Sequence, residues 1–141
     1  MNNCNQNHTN FRDHGPKPYV VNIDCVTAKN TNYRTTIWTG NHLQLTLMSI
    51  PVGGDIGFEQ HPDVDQFLRI ESGKGKVYMG SGREEVKPKG LVDKNYAVIV
   101  PAGTWHNIVN VGNSPLKLYS LYAPPKHPFG TVDRCKEDEE H

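Results

Sequence analysis

The fold is decided by the stretch Gly53-Gly54-Asp55-Ile56-Gly57-Phe58-Glu59-Gln60-His61-Pro62-Asp63-Val64-Asp65-Gln66, followed by Phe67-Leu68-Arg69-Ile70-Glu71-Ser72-Gly73. Glu59 and His61 are two apart, so on a strand they face the same side. Residues 62–65 carry the Pro and Asp that favour a turn. Gln66 then opens a second strand, close to His61 if the two pair as a hairpin. Alternation puts Leu68 and Ile70 on one face of that strand and Phe67, Arg69 and Glu71 on the other. The charged pair is expected to face water, which turns Gln66 inward. A later stretch, Pro101-Ala102-Gly103-Thr104-Trp105-His106-Asn107-Ile108-Val109-Asn110, places His106 inward beside Ile108 by the same count. A carboxylate buried without a partner costs several kcal/mol or neutralises itself. A divalent metal would supply the partner for an inward Glu, His, Gln and His.

Outward from this stretch the chain continues to read as strands. Residues 43–47 (LQLTL) and 116–122 (LKLYSLY) alternate with period two. Residues 76–79 are β-prone and lie between glycine turns, with 83–87 as a hairpin partner. Residues 96–100 form another strand stopped by Pro101, and 19–26 and 35–39 read as further strands. Turn signals recur about every ten residues and no long segment keeps a 3.6 period, which is the pattern of an all-β sandwich or barrel. The Gly73-Lys74-Gly75-Lys76 run has the wrong spacing for a P-loop and reads as a turn.

The 141 residues fit one domain, and 15 Lys and Arg cancel 15 Asp and Glu. That balance gives no basic footprint for nucleic acid. The longest purely aliphatic run, residues 97–100, is far too short to span a bilayer as a helix. The first fifteen residues lack the apolar core of a secretory signal, so a cytoplasmic location is expected. Cys4, Cys25 and Cys135 are scattered and odd in number, and read as incidental thiols rather than a disulfide framework. Residues 1–18 are read as a flexible N-terminal segment carrying surface histidines His8 and His14. Residues 131–141 are read as an acidic, solvated tail, leaving a domain over 19–130. There is no GxSxG elbow, no Rossmann glycine pattern and no cysteine–histidine nucleophile signature.

Two spacings together resemble the cupin superfamily. Its first motif is Gly, five residues, His, one, His, three or four, Glu, six, Gly. Here the corresponding positions are Gly53, Glu59, His61, Gln66 and Gly73. The spacing is kept, but Glu stands at the first His and Gln at the Glu. The second motif is matched by Pro101, Gly103, His106 and Asn110, with Asn95 at the opening Gly; Asn tolerates positive φ better than most residues. More narrowly, the segments are similar to small single-domain bacterial cupins of the mannose-6-phosphate-isomerase-like type. The resemblance implies a double-stranded β-helix, or jelly roll, with a divalent metal (Fe, Mn, Ni or Zn) inside. Its ligands would be Glu59, His61, Gln66 and His106. Glu59 with the two histidines makes a two-His-one-carboxylate set, and Gln66 is either a weak fourth ligand or a hydrogen-bond partner of a bound water.

One carboxylate leaves such an ion a residual positive charge, which favours an anionic or chelating ligand. The functions implied are a metal-dependent isomerase or dioxygenase acting on a small oxygenated molecule, a non-catalytic binding module for a small molecule or metal, or a structural jelly roll. Catalytic residues are not assigned. Asp63 and Asp65 read as turn residues, Tyr122 as inward packing, and His127 as a surface residue. Outward Phe67 and Trp105 fit a homodimer contact.

Overall fold

The expected alternation is realised as nine strands among residues 11–139, which the computed structural model describes. They are β1 (Arg34–Thr39), β2 (Gln44–Ile50), β3 (Asp65–Ser72), β4 (Gly75–Gly80), β5 (Lys87–Val92), β6 (Ala97–Val100), β7 (Trp105–Asn110), β8 (Leu116–Ala123) and β9 (Val132–Asp133). One sheet runs β6-β3-β8-β2-β1-β9 and the other β5-β4-β7, and every pairing is antiparallel. The fold is the all-β double-stranded β-helix that the two motifs implied.

Strand periodicity decides what the interior receives. In β8, Leu116, Leu118, Ser120 and Tyr122 are buried while Lys117, Tyr119 and Leu121 are only half-buried. Leu118 stands opposite Met48 on one side and Ile70 on the other, so one aliphatic layer crosses three strands. Val77, Val92, Ile108 and Leu116 complete this core. A second cluster, Val26, Ile37 and Leu47, packs on the outer face of the larger sheet beneath Phe11, Tyr19, Val21 and Ile23. The turn between β3 and β4 needs Gly73: its φ is +92°, and a Cβ there would lie 2.8 Å from the Pro115 carbonyl oxygen. Asn95 takes φ +77°, as expected for an Asn at that turn.

Several expectations are corrected. Residues 19–26 are not a strand, because helix α1 occupies Ile23–Lys29. The Asn22 side chain accepts from the Cys25 N–H at 3.0 Å, and Asp24 lies in the first turn. Capping and burial of Val26 override the β-propensity of the Tyr-Val-Val run. Glu71 does not face water. A register shift after Ile70 in the β3–β8 pairing turns it onto α1, where it is buried and hydrogen-bonded to Asp24. Burial first, and that carboxyl–carboxyl bond second, raise its pKa.

The terminal segments also depart from the sequence reading. Asp13 accepts from the Thr39 hydroxyl at 2.5 Å and the Gly130 N–H at 3.0 Å, and His14 stacks on Tyr19. His8 and Cys4 lie outside the described residues. Within 131–139, β9 joins the sheet through β1, and Glu139 reaches a buried arginine. Cys25 is buried and disulfide-bonded, whereas Cys135 is exposed and free. The bond removes the cysteine-count argument for a reducing compartment. No described helix is long and apolar enough to cross a membrane.

Candidate metal centre

The segment before β3 runs along the edge of β7. Ile56 N–H donates to the Ile108 carbonyl, and Glu59 and His106 exchange both backbone hydrogen bonds at 3.1 and 2.9 Å. That direct register brings the side chains of two residues 47 positions apart in sequence to one place. His61 is fixed by the turn at the start of β7: its carbonyl accepts from Gly103 N–H at 2.8 Å, while the Gln60 amide donates to the Gly103 carbonyl. The hairpin expected between His61 and Gln66 is therefore not formed. Instead, β3 pairs with β6 and β8, and Gln66 stands opposite Val100 and Tyr122.

Glu59, His61 and His106 bring their ligating atoms within 4.8 Å of one another, so they could hold a metal ion. Glu59 Oε1 lies 3.1 Å from His61 Nε2 and 3.7 Å from His106 Nε2. Burial alone would raise the Glu59 pKa, but the two imidazoles outweigh it and hold the carboxylate well below its usual range. His106 Nδ1 lies 3.1 Å from the Thr104 carbonyl, which can only accept. That contact places the proton on Nδ1 and leaves the Nε2 lone pair pointing inward, the tautomer a metal requires. Nε2 is buried and has no hydrogen-bond partner among the described residues. The donor set of two imidazoles and one ionised carboxylate fits Fe(II), Mn(II), Ni(II) or Zn(II).

Gln66 is buried, and its amide nitrogen donates to Ser120 Oγ at 2.8 Å. Its Oε1 is left without a partner. Tyr122 is buried edge-on to His61, with ring centroids 6.1 Å apart, and burial raises its pKa. Asp63 is an exposed turn residue as read, whereas Asp65 opens β3, pairs with Ala123 and accepts from Ala102 N–H at 2.9 Å. Trp105 stacks on Phe58 at 4.9 Å with the Arg83 guanidinium over both rings.

A model of the cupin domain matches residues 46–122, which hold both motif histidines, Glu59 and Gln66. The chain belongs to the cupin family. The cupin is 58% identical over 128 residues to the uncharacterized protein YrkC of Bacillus subtilis (strain 168), covering 91% of this chain and 69% of that one. A crystal structure of BH2720 from Bacillus halodurans superposes with a TM-score of 0.89 at 56% identity, covering 90% and 96% of the two chains. An oxalate decarboxylase of Bacillus subtilis, OxdC, superposes with a TM-score of 0.57 at 16% identity, over 63% of this cupin and 23% of that chain. At that identity the likeness is one of fold.

His127 was expected at the surface, but it turns inward. Its ring lies 5.1 Å from Tyr122, and its Nε2 is buried without a partner among the described residues. Burial first, and the Arg34 charge second, push its pKa down to about 3. The fold thus holds His127 neutral, while the unfolded chain protonates it near pH 6.5. Stability tied to this residue is full above pH 6.5 and declines as pH falls toward 3. At pH 4.5 the loss is about 2–3 kcal/mol at ~1.4 kcal/mol per pH unit. A His127→Asn variant is expected to lose that much less between pH 7 and 4.5 in urea titrations; equal acid losses would rule the assignment out.

Nothing in the two motifs marked Arg34, Thr36, Thr46 or Ser120 as interior polar residues. The available signal was the strand period: Thr46 and Ser120 both fall on the inward count of their strands.

Proposed function

We propose that this cupin holds a divalent metal through Glu59, His61 and His106, with Gln66 Oε1 as fourth donor, and binds a small oxygenated molecule beside it inside the barrel. The observation that carries this reading is the tautomer fixed at His106, whose inward Nε2 shares a 4.8 Å cluster with Glu59 and His61. When bound, the ion would supply Lewis-acid polarisation of a ligand oxygen or a site for oxygen. Glu59 contributes the negative charge, and Ser120 holds the Gln66 amide so that its oxygen is presented. Tyr122, kept protonated by its burial, can donate a hydrogen bond or a proton to a bound oxygen. Isomerase and dioxygenase chemistry both suit such a site.

A second reading, a non-catalytic binding module, is favoured by Gln66 itself. An amide has no titratable proton, so Glu59, already a ligand, is the carboxylate left at the centre. Pairing with a second copy across Phe67 and the neighbouring, 64% exposed Ile99 belongs to the same proposal.

Elemental analysis of the untagged protein beside a His106→Ala variant tests the centre. About one equivalent of metal is expected in the parent and near none in the variant. A parent that refuses added Fe(II), Mn(II), Ni(II) and Zn(II) would remove the metal reading. Glu59 and Gln66 would then be hydrogen-bond groups for an organic ligand.

A further inference from the structure

A second cavity opens on the outer side of the barrel, and none of Glu59, His61, Gln66 or His106 lines it. Its volume of about 470 Å³ lies within the usual range of small-molecule sites. Three pieces of chain build it. Ser49 on β2 and Lys117 on β8 stand directly opposite each other. Each alternates with fully buried neighbours, so both project from the outer face of the larger sheet. The loop after β2 adds Pro51, Gly54 and Asp55. Residues 134–137, just beyond β9, form the third wall. That wall is tied down: the Arg134 carbonyl accepts from Tyr33 N–H at 3.1 Å, and Arg134 N–H donates to Asp138 at 3.1 Å. Lys136 Nζ pairs with Asp55, which also accepts from the Asn107 amide at 3.0 Å. The cavity is therefore preformed.

Its chemistry restricts what can fill it. Lys117 Nζ donates to the Asn30 carbonyl, but no carboxylate pairs with it among the described residues. Partial burial lowers its pKa, the mark of an ammonium short of counter-charge. The Arg134 guanidinium has neither an ion pair nor a hydrogen bond among the described residues. Lys136 and Asp55 cancel each other. With Glu137 also on the wall, three cations face two carboxylates, and one positive charge is left over. A single negative charge neutralises it. A guanidinium fork suits a carboxylate in particular, because two parallel N–H donors meet its two oxygens. The other walls are largely apolar. Pro51 and Pro115 are exposed, and the Tyr33 hydroxyl is spent on the Ile56 carbonyl at 3.0 Å, which leaves its ring as the lining surface.

We propose that this cavity is a binding site for a small monocarboxylate with a compact apolar body. Lys117 and Arg134 hold the carboxylate, and Pro51, Pro115 and the Tyr33 ring hold the body. The site is separate from the metal centre and does not rest on the metal reading. A phosphate monoester brings a second negative charge and would leave the cavity negative.

The free thiol of Cys135 lines the same cavity and reports its occupancy. The test titrates benzoate, cinnamate and octanoate into the purified full chain, beside neutral benzamide and dianionic phenyl phosphate. Calorimetry reads affinity, and iodoacetamide labelling of the Cys135 peptide, followed by mass spectrometry, reads the place. At least one monocarboxylate is expected to bind and to slow Cys135 labelling threefold or more. Arg134→Gln and Lys117→Met should each weaken it fivefold or more, whereas Lys89→Gln, the same charge loss on β5, should not. Arg134 is exposed, so Arg134→Gln decides the matter alone if Lys117→Met fails to fold. The inference is overturned if no monocarboxylate binds, if benzamide or phenyl phosphate binds as well or better, or if Arg134→Gln changes nothing. Carboxylate binding that leaves Cys135 labelling unchanged also overturns it, and would place the ligand elsewhere, as at the metal centre.

Discussion

Replacing Arg34 by methionine is expected to cost about 3–5 kcal/mol of folding stability, the usual consequence of removing one member of a buried ion network. The Arg34 side chain is 2% exposed, and its partners Asp133 and Glu139 are 7% and 6% exposed. Without the guanidinium, Asp133 and Glu139 both lose their buried arginine partner. They must then ionise at a penalty or take up protons at neutral pH. For a chain of this size the thermal midpoint should fall by roughly 10 °C. Urea unfolding at pH 7 reads the loss directly. The companion variant, Arg34→Met with Asp133→Leu and Glu139→Leu, should recover most of it, because apolar replacement of a whole buried network is often neutral or stabilising. A single-variant loss below about 1 kcal/mol would show that Asp133 and Glu139 reach solvent by moving the C-terminal segment, and would remove the network as a stability element.

Metal should act as a folding ligand of comparable size. An ion that binds the folded chain and not the unfolded one stabilises by about 4 kcal/mol at a free concentration one thousand times its dissociation constant. Glu59, His61 and His106 come together only in the folded protein, because β7 register sets the Glu59–His106 pair. Added Mn(II) or Zn(II) is therefore expected to raise the thermal midpoint by roughly 10 °C. The shift should nearly vanish in Glu59→Gln, which keeps the shape but removes the anionic donor. The effect should also weaken in acid, where protons compete for the imidazoles. In the metal-free protein the sign at Glu59 is the same. Its carboxylate is held below its ordinary range, so its stability contribution is present above the unfolded pKa near 4.3 and is lost as pH falls below that. A midpoint that metal leaves unchanged, or raises equally in Glu59→Gln, would contradict this assignment.

Much of the site was legible because strand geometry is simple. The two-residue spacing anticipated Glu59 and His61 on one side, although the structure holds them by an isolated bridge and a turn contact and not in a strand, and a period of two sends Leu116, Leu118, Ser120 and Tyr122 inward once Lys117 points out. Motif spacing then put His106 beside them. The same rule failed where the ladder is interrupted. At Glu71 one register shift was enough to bury a carboxylate that the count exposed. Over residues 19–26 the local β-propensity was real, but a cap at Asn22 and the packing of Val26 on Ile37 and Leu47 outweighed it. His127 stands two residues beyond the paired prolines Pro124 and Pro125, outside any strand, where no periodic count assigns a face.

By itself, the sequence determined the all-β class, the turn at Gly73, and the inward direction of Glu59, His61, Gln66 and His106, because these follow from local alternation and from spacing within a few residues. Only the tertiary structure decided that Glu59 pairs with His106 rather than His61 with Gln66. It alone joined Arg34 to Asp133 and Glu139, 99 and 105 positions away, and aligned Thr36, Thr46 and Ser120 into one row. Those arrangements depend on which strand lies beside which. Strand order is set by packing the whole apolar interior at once, a global free energy that no short stretch of residues carries.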